Sequence, residues 1–325
     1  MTRTAVVLCN LGGPDSLAAV EPFLFNLFSD PDIFRLPLGR LTQRPFARWL
    51  AARRREEASR GYEAIGGASP IGTYTAAQAQ ALARALADCD IPVFVCMRYW
   101  HPLTSAVVEK LQRERFERVI VLPLYPQYSL ATTGSAHNEF RRQCARLHYS
   151  PDVVFLGSWY EEPHYVEAVA RSIEDMLGSF AEPDARAVTL LLSAHGLPRK
   201  AIERGDPYQR EIEATVEAVS ARLRWPHVRL CYQSRVGPLE WLRPYTDDVI
   251  RAEARAGVRQ MLVYPIAFVS DHVETLFELG ITYAQLARQA GIREYRVVPA
   301  LNDNPLLIRA LESLVRNALE VTPCA

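Results

Sequence analysis

Eight short apolar runs, each closed by a turn and followed by a helix-forming stretch, restrict the fold of this chain more than any other feature. They are Ala5–Cys9, Val93–Met97, Val119–Leu122, Val153–Leu156, Ala187–Leu192, Val228–Tyr232, Met261–Tyr264 and Tyr295–Val298. Helices are predicted at Leu17–Asp30, Thr75–Ala87, Tyr208–Leu223 and Thr246–Ala256, with a final one after Asn304. Strands alternating with helices, in two sets of four, predict an α/β protein of two similar doubly wound, four-stranded parallel-sheet domains. Gly157–Trp159 reads as the hinge, which puts the domains at 1–158 and 159–325, the last helix being free to pack back on the first. At 325 residues both halves are long enough for a core. Ligands of such sheets gather outside the strand carboxyl ends, so a cleft is expected where His195, Arg98, Tyr125 and Glu274 converge.

The stretch with the most chemistry is Val263–Leu279, VYPIAFVSDHVETLFEL. It begins as a strand closed by Pro265 and continues as a helix that Ser270 or Asp271 can cap. Val273, Leu276, Phe277 and Ile281 recur at helical spacing and predict its apolar face. Asp271, Glu274 and Glu278 stand three and four apart, which predicts three carboxylates on one face. Such crowding is costly unless a cation or a proton relieves it. A carboxylate row beside His272, just after a buried strand, is therefore a place to receive a metal ion or move protons.

Other strand ends carry weaker signals. Asn10-Leu11-Gly12-Gly13-Pro14 is a tight turn whose glycines permit close approach to a ligand, but it lacks the full dinucleotide-binding spacing. No two of the six cysteines stand at CxxC spacing, and Cys9, Cys96 and Cys231 read as small buried hydrophobes. Lys+Arg and Asp+Glu both total 37, so no net field recruits nucleic acid. No apolar run is long enough to span a bilayer and the amino terminus does not read as a signal peptide, so a cytoplasmic protein is expected. Phe34–Arg55 mixes Phe46, Trp49 and Leu50 with arginines. With Arg44, Arg48, Arg53, Arg54 and Arg55 on it, the stretch reads first as an amphipathic helix with a solvated basic face, and second as a lip for peripheral contact with a membrane or a greasy substrate.

Eight ordered motifs carry a resemblance that covers nearly the whole chain. They are LCNLGGPDS (Leu8–Ser16), IGGASPI (Ile65–Ile71), MRYWHP (Met97–Pro102), LPLYPQYSLATTGS (Leu122–Ser135), LLSAHGLP (Leu191–Pro198), GDPY (Gly205–Tyr208), YQSRVGPLEWLRPYTDD (Tyr232–Asp248) and PIAFVSDHVETLFEL (Pro265–Leu279). With these the sequence resembles the ferrochelatases, of the bacterial protoporphyrin type. The resemblance implies a chelatase-like fold and a lyase activity: insertion of ferrous iron into protoporphyrin IX, the last step of haem synthesis, in the cytoplasm or peripherally on the inner face of the membrane. It implies protoporphyrin IX and ferrous iron as partners, no nucleic acid, and no obligate protein partner. His195 and Glu274 match the family's metal-site pair and Glu278 its next carboxylate. Arg98, Ser69, Tyr125 and Leu11 are the expected substrate contacts, Arg98 meeting a propionate. The residue types suit the reaction, since a neutral imidazole can accept a pyrrole proton or hold a ferrous ion and a carboxylate can do either opposite it. Which of His195 and Glu274 takes the metal and which the protons stays open.

Each assignment has a plainer alternative: a hydrogen-bonded structural histidine, Arg98 paired with a neighbouring acid, Tyr125 and Ser69 as core and turn residues, Trp241 as packing. Two departures stand out. Gly280 and Thr282 replace the Asp and Glu that commonly continue the family's carboxylate ladder, and Gly280 predicts a bulge or an end to the helix. Leu130 follows YPQYS where cluster-bearing members have a cysteine, and the tail offers only Cys324, so no iron–sulfur cluster and no resident cofactor are expected. The competing functions are a coproporphyrin or other tetrapyrrole chelatase, a haem or porphyrin carrier without turnover, and a nucleotide-dependent α/β oxidoreductase.

Overall fold

All eight runs form strands in the computed structural model, which describes residues 2–33, 36, 39–180 and 187–320. Cys324 and the start of the Phe34–Arg55 stretch (Phe34, Arg35, Pro37 and Leu38) lie outside the described residues. The chain divides into two units, Met1–Ser158 with Ile308–Ala325, and Trp159–Leu307. The division falls inside the last helix, Pro305–Glu320, so its residues from Ile308 onward belong with the first unit.

In the first unit β1 (Thr4–Asn10), β2 (Val93–Met97), β3 (Arg118–Pro123) and β4 (Asp152–Phe155) form an all-parallel sheet of order β2-β1-β3-β4. In the second, β5 (Val188–His195), β6 (Val228–Gln233), β7 (Gln260–Pro265) and β8 (Glu294–Val297) repeat that order as β6-β5-β7-β8. The central strands β1, β3, β5 and β7 are buried nearly end to end, as continuously apolar strands covered on both faces must be. In each sheet the chain steps one way from its first strand and then crosses to the other side. The switch points therefore lie between β1 and β3 and between β5 and β7, where doubly wound sheets take their ligands.

Some boundaries move for identifiable reasons. β5 runs past Leu192 because His195 still pairs in register with Gln233, so the histidine is the last residue of a central strand and not a loop residue. The helix expected from Thr75 begins at Ile71, directly after Pro70. Arg40–Ala64 is one long helix containing Pro45. Its Trp49 and Leu41 remain exposed beside arginines, Arg53 lying over the Trp49 ring. Cys9, Cys96, Cys144 and Cys231 are buried thiols, Cys9 and Cys96 being register partners.

Candidate active site

The second sheet presents its polar residues at one end. Tyr208 donates its hydroxyl to the His195 carbonyl at 2.9 Å, and Gly196 N–H donates to the Gln233 carbonyl at 2.9 Å. A side chain at Gly196 would put Cβ 3.0 Å from that carbonyl and 3.3 Å from the Trp241 ring, so the SAHGLP turn needs glycine to close against β6. His195 is thereby held at the switch point, with the segment after β7 returning beside it.

That segment is not a regular α-helix, the kind of departure that Gly280 predicted. Glu274–Tyr283 is wound as a π-helix, with Gly280 inside it. Its buried residues are Thr275 and Leu279, while Leu276 is exposed, so the apolar face read from 3.6-residue spacing is wrong for this wider turn. Its cap position is Val273, with no side-chain bond, and not the expected Ser270 or Asp271. The three-carboxylate face is also corrected. Asp271 precedes the helix and is buried among other partners, accepting from Thr275 Oγ1 (2.8 Å), Asn302 Nδ2 (2.8 Å) and Ala300 N (3.2 Å). Only Glu274 and Glu278 stand at the end of β5.

His195 Nδ1 lies 2.9 Å from Glu274 Oε2, and His272 Nε2 lies 3.5 Å from the same oxygen. His272 Nδ1 faces the Ser270 carbonyl at 3.2 Å and so carries a hydrogen. Burial acts against the charged form of His195, but the adjacent Glu274 and the more distant Glu278 outweigh it and raise the imidazole above its ordinary value. Glu274 shows the reverse: burial opposes ionisation, yet His195 and His272 hold the carboxyl well below the usual range. Glu278 is raised, first by burial and then by the charge of Glu274. Two carboxylates one turn apart are thus pushed in opposite directions, the pattern by which sites separate proton-handling roles. Phe268 and Trp241 stand edge-on to His195, each with ring centroids 6.3 Å away, and Phe268 packs 4.4 Å from the His272 ring.

Glu278 is fixed by residues that the motif reading did not single out. Gln233 Nε2 donates to it at 3.1 Å, and Ser234 donates both its N–H (2.9 Å) and its hydroxyl. Gln233 is oriented by Ser193 Oγ, which donates to its Oε1 at 2.9 Å. Ser234 has φ +64°, a left-handed conformation unusual for serine, and this conformation turns both donors toward one carboxylate. The available signal was position: Gln233 ends the strand paired with β5 and Ser234 follows it.

The other expected residues lie in the first unit. Arg98 is 13% exposed and its charge is met inside the protein, by Asp30 Oδ2 at 2.9 Å and Glu139 Oε2 at 3.8 Å, with Nε donating to Ser135 Oγ at 2.8 Å. Asp30 also accepts from the hydroxyls of Tyr99, at 2.6 Å, and Ser135. The neighbouring-acid reading of Arg98 describes these contacts. Ser69 sits in its turn, its N–H donating to the Pro14 carbonyl at 2.8 Å. A side chain on Gly13 would place Cβ 2.5 Å from Ser69 Oγ, and one on Gly12 would meet Met97 and Trp100 at 3.1 Å. The glycine turn packs against Ser69, Met97 and Trp100. Leu11 is held by its backbone, accepting from Tyr99 N at 2.9 Å. Tyr125 is half-buried, and burial pushes its phenol well up. Among the described residues no group of three or more His, Cys, Asp or Glu side chains could hold a metal ion.

The fold and this site define a chelatase-type protein. The chain is similar to the solved structure of SirB from Bacillus subtilis with Fe3+ (TM-score 0.58, 12% identity, 98% of this chain and 96% of that one). It is also similar to CbiX, the terminal enzyme for biosynthesis of siroheme in denitrifying bacteria (TM-score 0.50, 13% identity, 98% and 100%). At those identities the likeness establishes the fold. The family model for ferrochelatase matches residues 3–319, and the chain belongs to the ferrochelatase family. Relatives named ferrochelatase include those of Synechococcus sp. (strain JA-3-3Ab), 49% identical over 97% of this chain and 94% of the relative, and Gloeothece citriformis, 44% identical over 98% and 83%.

Proposed function

We propose that this protein is a lyase inserting ferrous iron into protoporphyrin IX, with the protons and the metal handled at the β5–β7 switch point. The observation that carries this reading is the 2.9 Å contact between His195 Nδ1 and Glu274 Oε2. With Nδ1–H donated to the carboxylate, the lone pair of neutral His195 sits on Nε2. Glu274 then fixes the tautomer and stabilises the imidazolium that forms when a pyrrole proton is taken, the role a buried carboxylate plays behind a general base. Glu274 Oε1 and His195 Nε2, the atoms outside that contact, are where ferrous iron would be held in passing, its remaining ligands coming from the porphyrin. Glu278, raised by burial and by the charge of Glu274, is the next carboxyl beside this pair. Iron enters as substrate, and no iron–sulfur cluster is expected because Leu130 follows Ser129.

On the porphyrin side, Tyr125 remains the better contact candidate, since Ser69 and Arg98 are engaged within the protein. We also propose peripheral contact with an anionic bilayer through the exposed Trp49 and Leu41 and the arginines beside them. Among the described residues no helix is long and apolar enough to cross a membrane. Loss of porphyrin fluorescence on adding ferrous iron, with protein and without, tests the activity. Catalytic loss with protoporphyrin IX but not coproporphyrin supports the proposal; preference for coproporphyrin, or binding without turnover, refutes it.

A further inference from the structure

The family's carboxylate ladder does not continue beyond Glu278 in this chain, and the structure places another group there. Positions 280 and 282, occupied by Gly280 and Thr282, are exposed. The Tyr283 hydroxyl instead donates to Glu278 Oε1 at 3.1 Å. With Ser234 N on that oxygen, and Gln233 Nε2 and Ser234 Oγ on the other, all the strong acceptor positions of the carboxylate are taken. We propose that Tyr283 is a positioning residue for metal insertion, closing a four-donor cage that fixes Glu278 toward the His195–Glu274 pair.

The winding of the helix makes this contact. Glu278 and Tyr283 are five residues apart, and in an α-helix they would point about 140° away from each other. In the π-helix Glu274–Tyr283 the i to i+5 repeat brings them to one side. Tyr283 is the last residue of the π segment, after which the chain resumes an α-helix at Ala284–Ala290. The wide turn thus ends where the contact has been made. Three of the four donors come from the end of β6, one on Oε1 and two on Oε2. The phenol is the donor that comes from the carboxylate's own helix, and its loss leaves Oε1 with Ser234 N alone and the carboxylate tied to the end of β6.

This inference rests on the reading of Glu278 as part of the insertion site, and a double-variant cycle separates the two. Iron insertion into protoporphyrin IX is measured for the wild type, Tyr283→Phe, Glu278→Gln and the combination, with porphyrin affinity followed by fluorescence titration and folding by circular dichroism. Tyr283→Phe is expected to lower kcat about tenfold, the order for one hydrogen bond to a charged group, with porphyrin affinity unchanged. The combination is expected to be no slower than Glu278→Gln alone, because the phenol acts through that carboxylate. A Tyr283→Phe enzyme within twofold of wild type overturns the proposal. So does a tenfold loss that repeats in full on the Glu278→Gln background, or a Tyr283→Phe chain that does not fold while Glu278→Gln does. If Glu278→Gln is itself without effect, the insertion-site reading of Glu278 fails, and this inference with it.

Discussion

Glu274→Gln removes a charge while keeping shape, and the structure sets the size of its effect. Glu274 Oε2 lies 2.9 Å from His195 Nδ1, both side chains being less than one-third exposed (28% and 31%). Unit charges about 4 Å apart interact by about 4 kcal/mol at an effective dielectric of ~20. That is about a thousandfold in rate if the imidazolium forms in the transition state, inside the ~10²–10⁴ expected of a lost acid–base partner. The amide oxygen can still accept from Nδ1–H, so the tautomer survives and the loss falls on kcat, with porphyrin affinity unchanged.

The same variant has a pH signature. His195 is raised in the folded protein, so its contribution to stability is present below about pH 6.5 and is lost as pH rises through the folded value. Glu274 is depressed, so its contribution is present above about pH 4.5 and is lost as pH falls through its low folded value. The pair therefore stabilises most between those limits. Urea unfolding should find Glu274→Gln more destabilising at pH 6 than at pH 9. The assay for turnover is anaerobic loss of protoporphyrin fluorescence across iron concentrations at pH 7. A variant within threefold of wild-type kcat would refute the reasoning, as would a stability difference that does not change with pH.

Three further outcomes are expected. His195→Ala should abolish insertion, by a hundredfold or more, while protoporphyrin still quenches in a binding titration; near-normal turnover would remove the histidine from the site. Gly13→Ala places a Cβ 2.5 Å from Ser69 Oγ and should cost about 1–3 kcal/mol, read as a lower melting temperature that Gly13→Ala with Ser69→Gly recovers. Failure of the second change to rescue would mean the turn is not packed through Ser69. Gly280→Asp with Thr282→Glu adds carboxylates at exposed positions beyond a Glu278 already capped by Tyr283, so steady-state insertion should change by less than about twofold; a clear gain in rate would show that protons or iron do travel along that face.

The sequence by itself determined the two parallel sheets, because each strand is a local run of apolar residues and strand–helix alternation leaves few topologies. It also determined that His195 and Gln233 stand at strand carboxyl ends and that Glu274 and Glu278 follow β7, since those are matters of order along the chain. Only the tertiary structure decided what these residues touch. The π winding after Val273 comes from which carbonyl each N–H finds, and a pattern read at 3.6 residues per turn assumes that answer. It therefore misplaced the apolar face and put Asp271 in the carboxylate row, when Asn302 and the Ala300 N–H, far along the chain, draw it away. Arg98 shows the same limit. Its match with Asp30 and Ser135 joins residues that β2 and the helices after β1 and β3 bring together across most of the first unit. A buried charge takes the partner that folding places beside it, and spacing along the chain does not record which one that is.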